Sequence, residues 1–289
     1  MVDSDLTSGV FMMTYQYKKT GFARILAIGA AVMGLAGAAS ASSIHVLTSD
    51  GRVLLTETAT GNTSLVNTIG PLGASSNFSP NSLGFFDGTF YATTFSDSEK
   101  QTIYSFDETT TSGNFGLTTV STTSSSFAAG DANADGFSVV NKDGQKTTFD
   151  SSGSVTTTQA NFTDSPSTFG DIAFDTLNPG VTFASYNSGL ERFNADGSST
   201  VSNAFTRYVG LAFDEWGKFF GVSAGGGIFA LDFDAGTATA RGAISGDVLG
   251  NAQLTDAASV TPVPLPAAGW LMLAGFGGLA ALRRRKQAA

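Results

Sequence analysis

Cysteine is absent from this chain. No disulfide can staple it, and neither a thiolate nucleophile nor a cysteine-ligated metal belongs to its chemistry. Histidine occurs once, as His45, so the usual His/Cys zinc sites are excluded by count. A Ser-His-Asp triad would have to be built around that single residue. Its setting, Ser42-Ser43-Ile44-His45-Val46-Leu47, reads as a strand. Bases are scarce where they would matter. Of 24 acidic residues all but Asp3 and Asp5 fall within 42–261, against only eight of the 15 basic ones, a net charge of −14 for that region. Such a surface repels phosphate backbones, which argues against a nucleic-acid partner.

The two ends differ from the middle. Lys18, Lys19 and Arg24 precede an apolar run from Ile25 to Ala38, which ends at Ala39-Ser40-Ala41. Charged, apolar, then small is the order of a secretory signal, with cleavage after Ala41. The run is shorter than the ~18 residues a membrane-spanning helix requires. At the other end, Val263-Pro264-Leu265-Pro266-Ala267 leads into an apolar stretch from Ala268 to Leu282, closed by Arg283, Arg284, Arg285 and Lys286. A short hydrophobic helix followed by a basic cluster stops in a membrane with the basic end cytoplasmic. The chain thus divides into a leader and signal helix (1–41), an extracellular domain (42–261) and a C-terminal membrane segment (262–289).

This tail resembles the PEP-CTERM sorting tails of Gram-negative bacteria in their VPLPA variant. The resemblance covers about the last 28 residues. It implies recognition and processing by an exosortase after signal peptidase has acted. A membrane-anchored precursor would become a cell-surface or extracellular protein, in a setting often rich in exopolysaccharide. Nothing in the tail states what the domain ahead of it does.

That domain repeats. Apolar strand pairs around a Gly-containing turn recur as Leu83–Thr93, Ile172–Ala184 and Leu211–Val222, with a divergent copy at Phe127–Val140. Each is followed by a second hairpin, turning near Phe106, Phe149, Phe193 and Asp232. Spacings of 39 to 45 residues between equivalent positions match a four-stranded propeller blade. The pair at Val53–Thr63 is a fifth second hairpin lacking its partner, and the segment around Leu254 is an orphan first strand. Joining the two predicts an all-β, five-bladed β-propeller whose closing blade is shared by both ends, because an open ring leaves exposed strand edges. A β-sandwich or β-solenoid is the alternative. The passage from Gly210 to Ser245 also resembles propeller repeats of PEP-CTERM cargo proteins.

Asp131-Ala132-Asn133-Ala134-Asp135-Gly136 matches the opening of a calcium loop. It resembles an FG-GAP propeller repeat as well, but carries Val139 and Lys142 where acidic ligands belong. Three side chains imply weak calcium binding; the other reading is an Asx/Gly hairpin turn with no cofactor. Gly225-Gly226-Gly227 has neither lysine nor helix after it and reads as a turn. Asp232 and Asp234 read as solvated, and Asp87, Asp175 and Asp214 as turn formers at equivalent positions. The expectation is a non-enzymatic interaction scaffold without catalytic residues. Its alternative is a propeller hydrolase or lactonase, which needs metal-binding residues entering one channel from several blades.

Overall fold

In the computed structural model, residues 42–69, 79–95, 101–107, 118–123, 127–141, 145–159, 169–187 and 189–260 are described. The signal calls at Ala39 and Ala41 lie outside them, as do the sorting motif Val263–Ala267 and the basic cluster Arg283–Lys286. Among the described residues no helix is long and apolar enough to cross a membrane.

Among the described residues twenty strands form five four-stranded antiparallel sheets. The first blade comprises β1 (Ser43–Thr48), β2 (Arg52–Glu57) and β3 (Thr63–Thr68), completed on its inner side by β20 (Leu254–Ala258). The second blade is β4 (Ser79–Phe86), β5 (Thr89–Phe95), β6 (Gln101–Asp107) and β7 (Thr118–Thr123). The third is β8 (Phe127–Asn133), β9 (Gly136–Asn141), β10 (Lys146–Phe149) and β11 (Val155–Gln159). The fourth is β12 (Phe169–Phe174), β13 (Thr182–Tyr186), β14 (Gly189–Phe193) and β15 (Ser199–Ser202), and the fifth β16 (Gly210–Phe213), β17 (Phe219–Val222), β18 (Gly227–Asp232) and β19 (Thr237–Ala243). A single turn of helix, α1 (Gly246–Leu249), links the fifth blade to β20. Arg52 donates from Nη1 and Nη2 to the Val248 and Leu249 carbonyls, at 2.6 and 3.0 Å, satisfying acceptors at the helix end.

The inner strands meet in a ring: β20 lies beside β4, β4 beside β8, β8 beside β12, β12 beside β16, and β16 beside β20. This is the five-bladed propeller with a shared closing blade that the repeat spacing predicts. His45 pairs with Leu55 on one side and Ala258 on the other, so the closing strand is in register with the strand that starts the domain.

The inner strands are buried on both faces whereas β15 and β19 are largely exposed, and among the described residues the hydrophobic core falls into five clusters, one at each blade junction. Ile44, Val46 and Leu54 pack with Ala212, Phe220 and Val222 between blades one and five. Leu47 and Val53, one residue out of phase, pack with Leu83, Phe85 and Phe90 between blades one and two. Two-residue alternation thus serves two different interfaces, and the inner strands read as continuous apolar runs. Close approach at the axis demands small residues. A Cβ on Gly84 would sit 2.7 Å from the Ala132 nitrogen of the next blade, and one on Gly210 would sit 2.7 Å from the Ala257 Cβ.

Truncation after Gly250 removes β20 and leaves β1 as an unpaired edge lining the core. Compared with a chain ending at Thr261, the truncated protein is expected to aggregate or to lose most of its cooperative thermal transition. A monomer melting at the same temperature would show that ring closure contributes nothing to stability.

Candidate functional site

Three aspartates occupy the axis, one from each of three blades: Asp131 on β8, Asp171 on β12 and Asp256 on β20, each with no exposed surface. An acid in the middle of an apolar inner strand must find partners, since an unpaired carboxylate away from water is strongly disfavoured. Each takes an amide from its own strand and one from a neighbouring blade. Asp256 accepts from Ala257 at 2.6 Å and from Leu83 on β4 at 3.1 Å. Asp131 accepts from Ala132 and from Phe174 on β12, both at 2.8 Å. Asp171 accepts from Ile172 at 2.7 Å and from Leu211 on β16 at 2.6 Å. At the junction of blades five and one a hydroxyl takes this role: Ser259 Oγ accepts from the Phe213 amide at 3.0 Å.

The same groups also act on one another across the axis: Asp171 and Asp256 each influence the other's ionisation, and both feel Asp131. Ser259 donates to Asp131. Burial pushes Asp131 up to about 8 despite the opposing amides. It also raises Asp171 and Asp256 well above the carboxylate range, with further repulsion from neighbouring acids. Ser82, on β4, breaks the pattern: its hydroxyl is fully buried and makes no hydrogen bond.

The axis ends at a cavity of about 290 Å³, lined among others by Phe85, Phe86, Phe174, Val181, Asn133 and Ser259. The three carboxyls do not line it. They are sealed behind Ser259, so no described acid of the axis is reachable by a substrate in this arrangement.

The calcium-loop residues are divided by the fold. Asp131 faces the axis with both oxygens on amides, whereas Asn133 Oδ1 accepts from the Asp135 nitrogen at 2.9 Å within the hairpin turn. Asn133 and Asp135 line the cavity. Among the described residues, no group of three or more His, Cys, Asp or Glu is placed to hold a metal. Asp175 and Asp214 are turn formers as expected, accepting from Leu177 and Asn178 and from Trp216 and Lys218 respectively. The Asp87 turn has positive φ, 48°. Asp232 and Asp234 are exposed, beside a groove of about 670 Å³ between blades four and five. Asp234 pairs there with Arg192 at 2.8 Å, an exposed bridge of little energetic weight. His45 is a core residue on β1, edge-on to Phe85 and Phe90, and burial lowers it to about 4.

Sequence reasoning missed Asp171 and Asp256, and grouped Asp131 with Asn133 and Asp135 without its link to Phe174. A signal was present: Gly130-Asp131-Ala132, Gly170-Asp171-Ile172 and Thr255-Asp256-Ala257 each set one acid amid small or apolar residues on a first strand.

No family model matches this chain, and no curated protein does. Structural likenesses include the WD40 β-propeller domain of Doa1, with 11% identity, 68% of this chain and 78% of that one covered, and a TM-score of 0.44. A humanized mutant of the Chaetomium thermophilum Polycomb Repressive Complex 2 gives 11% identity, coverage of 55% and 40%, and 0.38. The WD40 domain of Toxoplasma gondii coronin gives 8%, coverage of 54% and 43%, and 0.38. The chain spans less than half of the latter two. Likeness this distant carries no argument about function, and the fold rests on the sheet order above.

Buried acids with raised pKa make stability depend on pH in an unusual direction. Unfolded, these carboxyls ionise near 3.8; folded, Asp131 holds its proton to about 8. Between those values the native state binds more protons, so stability falls as pH rises, by about 1.4 kcal/mol per pH unit for Asp131, and Asp171 and Asp256 act in the same direction. His45 acts oppositely, with stability lost as pH falls from 6.5 to about 4. Above pH 6.5 only the axial acids remain to be titrated among these groups. The denaturant midpoint is expected to fall between pH 6.5 and 8.5; a rise would mean that the native axial carboxyls are already ionised at pH 6.5.

Proposed function

We propose that this chain is an exported protein, processed at its C-terminus by an exosortase, whose propeller acts as a non-enzymatic interaction scaffold at the cell surface, associated with exopolysaccharide. The observation that carries the reading is the ordered tail: Val263–Ala267, the apolar segment, and Arg283–Lys286. The signal ending at Ala41 supports it from the other end. The scaffold part is supported by the axis, where the three buried acids described from three blades are each spent on two backbone amides. A rigid ring with a sealed centre suits binding at its surface.

Intact mass of the mature surface form is expected to show loss of residues 1–41 and of the chain beyond the 263–267 region. Deleting Val263–Ala267 should leave the protein in the inner membrane. Unchanged surface display after that deletion would sink the sorting reading.

The hydrolase reading has one observation in its favour, the three carboxyls from three blades below a cavity. It requires that a divalent ion displace their protons. The mature protein is expected to contain no stoichiometric metal and to leave ester and lactone substrates intact; metal at one equivalent with turnover abolished by Asp171→Asn would reverse the choice.

A further inference from the structure

We propose that the buried pair Asp214 and Glu215, on the turn between β16 and β17, is a receptor site for an α-ammonium group: that of Ser42, freed when the signal is cleaved after Ala41. The inference rests on that reading of the leader.

Four first hairpins turn at equivalent acids, Asp87, Asp135, Asp175 and Asp214. Asp87 and Asp135 are exposed and Asp175 is half-buried. Asp214 has no exposed surface, and it alone of the four is followed by a second acid, Glu215, which is 4% exposed. Both lie against the residues that open the described domain. Ser42 Oγ donates to Asp214 Oδ2 at 2.5 Å, and the Ser43 amide donates to Glu215 Oε2 at 3.1 Å. Thr58, just beyond β2, holds Ser42 in place. Its amide donates to the Ser42 carbonyl at 2.8 Å, and its hydroxyl lies 2.8 Å from Ser42 Oγ. The turn itself uses only Asp214 Oδ1, which accepts from the Trp216 and Lys218 amides at 2.9 and 2.7 Å. Glu215 Oε1 is buried and makes no hydrogen bond.

Two adjacent acids withdrawn from water call for a cation. Among the described residues the ion pairs are Arg52–Asp50 and Arg192–Asp234, and neither involves this pair. Lys218 on the same turn and Arg241 on β19 have exposed side chains. Glu57, opposite Ser43 on β2, is held by Thr60 and Asn62 at 2.7 and 3.3 Å. His45 is held neutral by burial and turned toward Phe85 and Phe90, and Asp256 on β20 is bonded to amides at the axis.

The chain's own nitrogen at Ser42 is a source of the missing charge. Three covalent bonds separate it from the Ser43 nitrogen and three from its own Oγ, so bond lengths keep it within about 7 Å of both carboxyls. In the uncut chain it is a peptide nitrogen with one hydrogen and no charge. Hydrolysis of the Ala41–Ser42 bond consumes one water and leaves a carboxylate on Ala41 and an ammonium on Ser42. That ammonium has three hydrogens to donate, and Glu215 Oε1 is an acceptor without a donor. The site is therefore filled only after the leader has gone, and the junction of blades one and five gains an ion pair that the precursor lacks.

The test uses the mature surface form of the full chain. Its intact mass fixes the first residue. A start other than Ser42 overturns the cleavage reading and this inference together; a start at Ser42 leaves the first standing, and the remaining outcomes judge the site alone. The α-amine is then titrated by brief pulses of acetic anhydride from pH 6 to 10, scored on the N-terminal peptide, for folded protein and for protein in urea. The midpoint is read rather than the rate, because burial slows acylation without a partner and lowers an amine's midpoint. The expected midpoint is higher in the folded protein by about one pH unit or more, the scale of an opposite charge at close range. Glu215→Gln, which keeps an acceptor for the Ser43 amide but carries no charge, should remove most of that shift. Inserting Gly-Gly between Ala41 and Ser42 moves the ammonium away and leaves both carboxyls in place. An amine raised by its partners contributes stability below its unfolded midpoint and loses it as pH rises through the folded one. The inserted chain should accordingly melt lower than the mature form near neutral pH, with the difference vanishing above the folded midpoint. Equal midpoints in folded and unfolded protein overturn the proposal, as does a shift that Glu215→Gln leaves intact. If that variant does not fold, the wild-type titration and the inserted chain decide.

Discussion

Closure of the ring at its axis is the constraint on which the rest of this structure depends. Five twisted sheets arranged radially bury both faces only if the last meets the first, and here the meeting is made by a strand from the far end of the chain. Every inter-blade cluster has a neighbour on each side. A gap at one junction would expose Ile44, Val46 and Leu254 on one wall and Ala212, Phe220 and Val222 on the other. At roughly 25 cal/mol per Å² of apolar surface, rewetting such walls costs several kcal/mol, comparable with the whole stability of an ordinary domain. β20 therefore matters out of proportion to its five residues.

The axis itself poses a different problem. Inner strands converge until backbones nearly touch, as at Gly84 and Gly210, and little room is left for apolar side chains. A short acid suits the space because one carboxyl can accept two amides, binding its own strand and the next. Hydroxyls do this less well. Ser259 manages one amide and one acid, while Ser82 makes no hydrogen bond at all. The gain in connection comes with an electrostatic burden, since three carboxyls within one sealed centre cannot all be charged. Holding protons resolves it, since a neutral carboxyl brings no charge into the centre and keeps its backbone partners. Connection and proton uptake are thus two sides of one arrangement.

Much of the fold was legible before any coordinates. Its period is carried by turn residues and by strand pairs such as Leu211–Val222, both local features. The orphaned segments at Val53 and Leu254 count as one blade by simple arithmetic. The short helix α1 was not legible, because four residues show no helical period. The axial site was hidden for a related reason. Asp131 lies two residues before Asn133 and four before Asp135, and a local motif claimed it; that its carboxyl faces Phe174 across a blade junction depends on packing between distant strands. Asp171 and Asp256 are 85 residues apart in sequence, and nothing local couples them. Reading an inner strand for its one polar residue would have found all three, but only once the strand was known to be innermost. His45 went the other way, since a lone histidine amid Ile44, Val46 and Leu47 is read correctly from its neighbours alone.

The arrangement of turns gives the ring two unlike faces. Strand direction alternates, so the turns at Asp87, Asp135, Asp175, Asp150, Asp196 and Asp232–Asp234 fall on one face, with Val260 where the described chain ends. Arg52, Arg207 and Arg241 fall toward the other, beside the links between blades, together with Asp50, which pairs with Arg52, and Asp247. An anionic polymer approaching the side of the acidic turns meets a field of like charge, screened only beyond about 10 Å at 0.1 M salt. The opposite face carries less of that repulsion.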